Sequence, residues 1–193
     1  MENNQFKNNK GLGQNVSPAP AQTERKKRRG TASEYKKSLQ EKQTLKRLYG
    51  LSERQFKRYV KEALEKIQRV ENVSDELVKR LEKRLDNVVF RLGLAKTRRQ
   101  SRQLVSHAYF LINNKPVNIP SFQVKKGDVI LIKETKKKKV VFKDLKDALK
   151  KIEIPAWLNI DKENLQSKVI GEPSLAQVNL PVEISLIFEF YSR

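Results

Sequence analysis

The chain contains no cysteine. That removes disulfides, thiolate metal ligands and a cysteine nucleophile, and it fits a cytosolic protein. A single histidine leaves a histidine-based zinc site without a second ligand of its kind. Seven glycines are few for phosphate-cradling loops, and no Walker loop, dinucleotide motif or paired catalytic carboxylates appear. No run approaches the ~20 apolar residues of a membrane span. The first 22 residues, rich in Asn, Gln, Pro and Ala, show neither a secretory signal nor the arginine-rich pattern of a mitochondrial presequence. Negative charge is scarcest of all: 22 Asp+Glu face 42 Lys+Arg, a net +20. A compact domain carrying that surplus repels itself unless a polyanion neutralises it. With membrane spans absent, nucleic acid is the expected partner.

The charge is also unevenly placed. Glu24–Arg69 holds 16 basic and 6 acidic residues, and Asp86–Lys139 holds 13 and 3. The stretch between them is neutral, and the tail from Val140 onward is slightly acidic. A surface built only for solubility mixes its signs, so two basic binding faces are expected.

Residues 1–32 are polar and end in Arg25-Lys26-Lys27-Arg28-Arg29, an arm expected to be disordered until it meets RNA. Ser33–Tyr49 reads as a helix stopped by Gly50. Ser52-Glu53-Arg54-Gln55 has capping-box spacing and opens a second helix, on which Phe56, Val60, Ala63, Leu64 and Ile67 recur at helical period. Arg54, Lys57, Arg58 and Lys61 lie on its other sides. Ser74 is placed to cap a third helix, whose apolar residues run from Leu77 to Leu92 with a bend expected near Arg84. Thr97-Arg98-Arg99-Gln100 is another capping box and starts a short helix to about Ser106. The period then changes: Tyr109–Ile112, Phe122–Val124 and Val129–Ile132 read as strands. Val140–Ile152 reads as a helix ended by Pro155, and the alternating Val182, Ile184, Leu186, Phe188 and Phe190 as a half-buried strand.

The sharpest chemical signal is the helix at Thr97–Ser106. A helix N-terminus offers free N–H groups and partial positive charge to a phosphate. Arg98, Arg99 and Arg102 crowd the same turns with no acid among them, and guanidinium forks grip phosphate oxygens in pairs. A merely solvated face would carry compensating carboxylates. His107 at the helix end is read as structural or RNA-contacting, since no catalytic partner accompanies it. Asp86, in Arg84-Leu85-Asp86, matches a tripeptide found around the catalytic Asp of some pseudouridine synthases, but the flanking residues of that site are missing. The simpler reading is an acid that orients an arginine. No cofactor and no metal is expected.

Arg84-Leu85-Asp86-Asn87-Val88-Val89-Phe90-Arg91-Leu92-Gly93, Thr97-Arg98, Arg102-Gln103-Leu104-Val105-Ser106-His107, Ile112-Asn113-Asn114-Lys115 and Ile119-Pro120-Ser121 together resemble the S-four RNA-binding domain. Glu41-Lys42-Gln43, Tyr49-Gly50, Glu53-Arg54-Gln55-Phe56, Pro155-Ala156-Trp157-Leu158 and Glu189-Phe190-Tyr191-Ser192-Arg193 extend the resemblance to the bacterial-type ribosomal family that carries that domain. The resemblance implies an α+β fold. A helical domain over residues 33–83 is followed by an inserted S-four domain over 84–147, with short helices on a small antiparallel sheet. Residues 148–193 then return to the helical part.

The resemblance also implies a non-enzymatic small-subunit protein. It is expected to bind 16S-type rRNA, nucleate the body of the subunit, and contribute to accuracy beside protein S-five and the mRNA entry site. The expected place is a cytoplasmic ribosome, with an organellar one as the alternative. RNA contact is expected at Arg25, Lys26, Lys27, Arg28, Arg29, Lys42, Lys46, Arg47, Arg54, Arg58, Lys61, Arg98, Arg99, Arg102, Ser106, His107, Asn114 and Lys115. Family members that bind zinc do so through N-terminal cysteines, which this chain lacks. Translational repression through mRNA binding is the alternative function. A stand-alone RNA-modifying enzyme would need a further catalytic domain, for which the residues after Lys139 are too few.

Overall fold

The computed structural model describes residues 33–66, 72–142, 145, 149, 152–161 and 164–192. The expected arm over residues 1–32, with Arg25–Arg29, lies outside them. Helix α1 (Glu34–Leu48) is capped by Ser33, whose hydroxyl accepts from Lys36 N at 3.4 Å. It ends at Gly50, with φ +62°. There Leu51 N donates to Lys46 O at 3.0 Å and Gly50 N to Arg47 O at 3.1 Å, the paired bonds that close a helix through a left-handed residue.

Helix α2 (Glu53–Leu64) is capped by Ser52, which accepts from Gln55 N at 3.3 Å. The reciprocal half of the box does not form: Gln55 Oε1 is buried without a partner, and Gln55 is among the residues that line the cleft between the α1–α2 turn and α5.

Helix α3 (Val73–Glu82) is capped by Asn72 rather than Ser74; Asn72 Oδ1 accepts from Ser74 N at 3.0 Å. The long apolar face expected from Leu77 to Leu92 is two helices, α3 and α4 (Leu85–Arg91), broken at Arg84, which is extended at φ −67°, ψ 135°. The cause is the segment expected to form a strand at Phe122–Val124. Leu85 N donates to Phe122 O at 2.8 Å, Asp86 N to Pro120 O at 3.2 Å, and Val124 N to Lys83 O at 2.9 Å. That segment satisfies the helix junction and joins the sheet nowhere; Gln123 makes only an isolated bridge with Arg84.

Helix α5 (Arg98–Ser106) is capped by Thr97, whose hydroxyl accepts from Gln100 N at 3.1 Å. Gln100 Oε1 in turn accepts from Lys96 N at 2.7 Å, one residue before the cap.

The strands β1 (Phe110–Ile112), β2 (Lys115–Val117), β3 (Val129–Ile132), β4 (Leu158–Asp161) and β5 (Gln166–Val169) form one antiparallel sheet of order β2-β1-β3-β5-β4. Strands β2, β4 and β5 were not among the expected ones. Asn113 and Asn114, both at positive φ (49° and 65°), make the two-residue β1–β2 turn. Helix α6 (Glu134–Lys137) follows β3, Val140–Phe142 is a 3-10 turn, and Leu145 and Leu149 are helical and buried, so the expected helix from Val140 starts differently. Its remaining residues to 151 lie outside those described. The last element is a helix, α7 (Ile184–Ser192), and not the expected strand. Six of its nine residues are apolar or aromatic, so either period finds partners. Packing decides: Ile184 and Ile187, one turn apart, are buried in the helical core.

Two cores result. One gathers Leu45, Phe56, Val60, Leu77, Leu81 and Ile187 from α1, α2, α3 and α7. The other packs Val88, Val89 and Val105 of α4 and α5 on Phe110, Ile130 and Trp157 of the sheet and its approach. The segment after residue 148 therefore divides. Trp157–Val169 completes the sheet core, and only the chain from Leu175 onward rejoins the helical core. The alternation of β4 and β5 has a buried side to fill, which the short helices alone leave open. Among the described residues no helix is long and apolar enough to cross a membrane.

Helix α5 closes with the same paired bonds as α1, Tyr109 N to Leu104 O at 3.2 Å and Ala108 N to Val105 O at 2.9 Å. Its left-handed residue, however, is Ala108 at φ +53°. An L side chain there costs on the order of 1 kcal/mol. We expect Ala108→Gly to raise the unfolding free energy by about 0.5 kcal/mol after the added chain entropy of glycine is subtracted. Urea denaturation measures it, and a loss of stability contradicts the strain.

Candidate nucleic-acid interface

The turn between α1 and α2 faces the first two turns of α5 across a cleft of about 790 Å³. Lys46, Arg47, Arg98, Arg99 and Arg102 line it, and no carboxylate does. The five cations are not equivalent. Arg102 donates from Nη1 to Gly50 O at 3.0 Å, which ties α5 to the α1–α2 turn. Arg98 lies half-buried, 4.4 Å from the Phe90 ring centroid and 5.2 Å from that of Tyr49, with Nε donating to Asn87 Oδ1 at 3.0 Å. Burial, and then the neighbouring Arg91, lower its pKa from the ordinary arginine value. Both residues were expected to contact RNA; each also has an internal partner and positions α5, while Arg47 and Arg99 are exposed.

Beneath the cleft lies a buried polar network. Glu82, at 0% exposure, accepts from Tyr49 Oη at 2.5 Å, Asn87 Nδ2 at 2.8 Å, and Arg91 Nε and Nη2 at 3.0 and 2.8 Å. Burial, followed by the charge of Glu82, raises the Tyr49 phenol far above its ordinary value and keeps it a donor. Beside it Asp86 holds the buried Arg84 by two bonds, Nε–Oδ1 at 3.0 Å and Nη2–Oδ2 at 2.6 Å, and Arg84 also donates to Tyr59 Oη at 2.8 Å. Asp86 is thus the arginine-orienting acid. It also accepts, through its backbone oxygen, from the Ser101 hydroxyl of α5.

The other expected contacts separate by environment. Lys42 is buried. Its ammonium pairs with Glu53 at 2.9 Å and sits 4.3 Å from the Phe190 ring, so it faces inward. Lys46 pairs with the other Glu53 oxygen at 2.9 Å. On α2, Arg54, Arg58 and Lys61 are exposed, with Arg58 and Lys61 in loose i,i+4 pairs to Glu62 and Glu65 at 3.7 and 3.9 Å. Lys57, absent from the expected contacts, completes an i, i+3, i+4, i+7 stripe with them, a spacing legible in the sequence.

Ser106 and His107 are exposed at the far end of α5, and Asn114 and Lys115 at the tip of the β1–β2 hairpin. That tip is tied to the turn before β3: Asn113 Nδ2 donates to Asp128 Oδ1 at 2.9 Å and Val129 N to Asn113 Oδ1 at 3.0 Å. Exposed Lys125 and Lys126 therefore share an end of the sheet with Lys115. Among the described residues no group of three His, Asp or Glu could hold a metal.

This arrangement suits a polyanion gripped by its phosphates, and comparison with known proteins gives its setting. Residues 2–86 match the Ribosomal protein S4/S9 N-terminal domain and residues 83–130 the S4 domain. The small ribosomal subunit protein uS4 of Persephonella marina is 47% identical over 161 residues, 83% of this chain and 77% of that protein. The chain belongs to the uS4 family. The uS4 protein of Corynebacterium glutamicum ATCC 13032 is 46% identical over 83% of this chain and 79% of its own, and that of Thermotoga petrophila 43% over 86% and 78%. The two family regions meet at residues 83–86, where Arg84 separates α3 from α4. In this uS4-family chain the acid-free cleft spans that boundary, with one wall from each region.

Glu53 supplies a pH test of the internal ion pairs. Burial alone would raise its carboxyl, but hydrogen bonds from Lys46, Lys42 and Tyr191 prevail and hold it at about 2, below the ordinary 4.5. Its contribution to stability is therefore complete above pH 4.5 and is lost as pH falls toward 2. The stability difference between wild type and Glu53→Gln should shrink across that window. Urea unfolding at successive pH values measures it, and parallel profiles contradict the assignment.

Proposed function

We propose that this chain is a structural, non-enzymatic constituent of the small ribosomal subunit that binds small-subunit rRNA largely through phosphates. The observation that carries the reading is the cleft of five cations and no carboxylate between the α1–α2 turn and α5, in a chain 47% identical to a small-subunit protein. Arg98 and Arg102 support it by holding α5 against the α1–α2 turn, so that the exposed Arg47 and Arg99 project from a frame already set and lose less freedom on binding. So does the short helix backed by a small sheet, a form suited to RNA read by shape and backbone. Early binding that nucleates the subunit body, contact with protein S-five, proximity to the mRNA entry site and an influence on accuracy belong to the same proposal. The arm with Arg25–Arg29 is proposed to order on the rRNA.

The test is the affinity of the purified chain for a fragment from the five-prime region of small-subunit rRNA, measured across salt concentrations. Each phosphate neutralised contributes a slope of about −0.9 on duplex RNA or DNA, so a total of several units is expected. Arg47→Ala with Arg99→Ala should flatten the slope by about 2 and leave the thermal midpoint unchanged, since no internal hydrogen bond or ion pair engages either side chain among the described residues. A flat salt response in the wild type overturns the reading.

A further inference from the structure

Among the described residues six large hydrophobic side chains are exposed, and three of them border one groove. Val140 is exposed at 74%, the highest of the six, and Val141 follows it directly at 41%. Ile152 stands beside Gly93, where an added Cβ would meet Ile152 Cδ1 at 2.6 Å. The groove, of about 270 Å³, has the buried Leu94, Ala95 and Leu145 of the sheet core as its floor and Val140, Val141 and Lys96 at its rim. Single aliphatic side chains on a surface need no explanation, but a gathered patch marks a contact. The polar groups around this patch are donors. Gln100 Oε1 already accepts from Lys96 N at 2.7 Å, which leaves the Gln100 amide N–H groups and the Lys96 ammonium for a ligand. In the run that leads to Val140, Lys137 pairs with Glu134 and Lys136 stands over the Tyr109 ring. Lys138 and Lys139 are exposed, with no ion pair among the described residues. No carboxylate and no aromatic ring lines the groove among those residues.

We infer that this groove docks an acidic protein segment, which inserts an aliphatic side chain beside Val140 and Val141 while its carboxylates meet Lys96, Lys138 and Lys139. The inference goes beyond the rRNA-binding reading and does not depend on it. Each half of the lining selects part of the partner. The aliphatic half disfavours nucleic acid, because unpaired bases settle on aromatic rings or guanidinium planes and the groove offers neither. Burying the valines against a matching side chain removes apolar surface from water instead. The cationic half disfavours this chain's own material. A second copy docked face to face would bring its own Lys136–Lys139 against the first. Residues 1–32 carry seven cations against Glu2 and Glu24, so they are repelled as well. A segment of Asp and Glu with an aliphatic anchor satisfies both halves.

The test uses the full chain and two fluorescent peptides of equal length and charge. One alternates Asp and Glu with Leu, the other has Ser in place of each Leu, and anisotropy reads their binding. Wild type should prefer the Leu peptide on the order of tenfold, the effect of burying one aliphatic side chain. Val140→Ser with Val141→Ser should abolish that preference and leave the affinity for the Ser peptide unchanged. Lys96→Gln with Lys138→Gln and Lys139→Gln should weaken both peptides. These side chains are exposed, so each variant should keep the wild-type thermal midpoint; Val140→Ser alone, at the most exposed position, serves if the double variant does not. Equal affinities of the two peptides for wild type, or a preference that survives the serine substitutions, overturn the inference. A five-prime rRNA fragment that binds the serine variant more weakly than wild type would make nucleic acid the occupant. A dimer in sedimentation equilibrium that the serine variant abolishes would make it a second copy. Either result also overturns the inference.

Discussion

The carboxylate of Glu82 is the group on which the rest of the molecule depends. It is the last residue of α3, fully buried, and receives hydrogen bonds from Tyr49, the residue that follows α1, and from Asn87 and Arg91 of α4. A buried charge is tolerated only when paired and saturated with donors, and losing one partner of such a group costs about 3–5 kcal/mol. Here the donors come from both sides of the boundary between the helical core and the sheet core. The second buried pair, Arg84 with Asp86, sits one step along the chain and reaches back to Tyr59 of α2. The helix break at Arg84 lets the second pair exist: in a continuous helix the side chains of residues 84 and 86 would project from different sides.

That junction explains why basic residues similar in sequence do different work. Arg98 stacks on Tyr49 and Phe90 and bonds Asn87, which is itself held by Glu82. Arg102 bonds the turn carbonyl of Gly50. These two arginines fix where α5 stands against the α1–α2 turn, so Arg47 and Arg99 project from a frame already set. The end of the chain is secured in a parallel manner. Tyr191 donates to Glu53 Oε1 at 2.7 Å, and the Phe190 ring lies against the Lys42 ammonium, so α7 is bound to α1 and α2 by a buried cation and its carboxylate.

Local chemistry made the helix ends readable from the residues alone. Ser33, Ser52 and Thr97 cap where hydroxyls should, Gly50 and Gly93 stop helices at positive φ, and the discontinuity in the third apolar face falls at Arg84 as expected. Nonlocal packing was less legible. The alternation of Val182–Phe190 is genuine, yet its residues also recur at helical spacing, and only the helical core they meet selects α7. Leu158–Asp161 and Gln166–Val169 do alternate, but four residues give a weak signal until a sheet edge is there to receive them. Among the candidate contacts, residue type identified cations and could not tell their direction. Lys42 and Lys46 are a helical turn apart, and only the arrival of Glu53 and α7 turns the first inward. Lys57, by contrast, was recoverable from spacing.

The Glu82 network makes one cooperative body of the two cores. Trp157, the chain's single tryptophan, is buried in the sheet core, whereas backbone circular dichroism draws mainly on the helical core. Denaturant unfolding of wild type and Glu82→Gln, followed by both signals, is the most direct measurement. Coincident transitions in the wild type, with an earlier and separated pair in the variant, are the predicted result. Separated curves in the wild type, or a variant that unfolds at the wild-type midpoint, would contradict it.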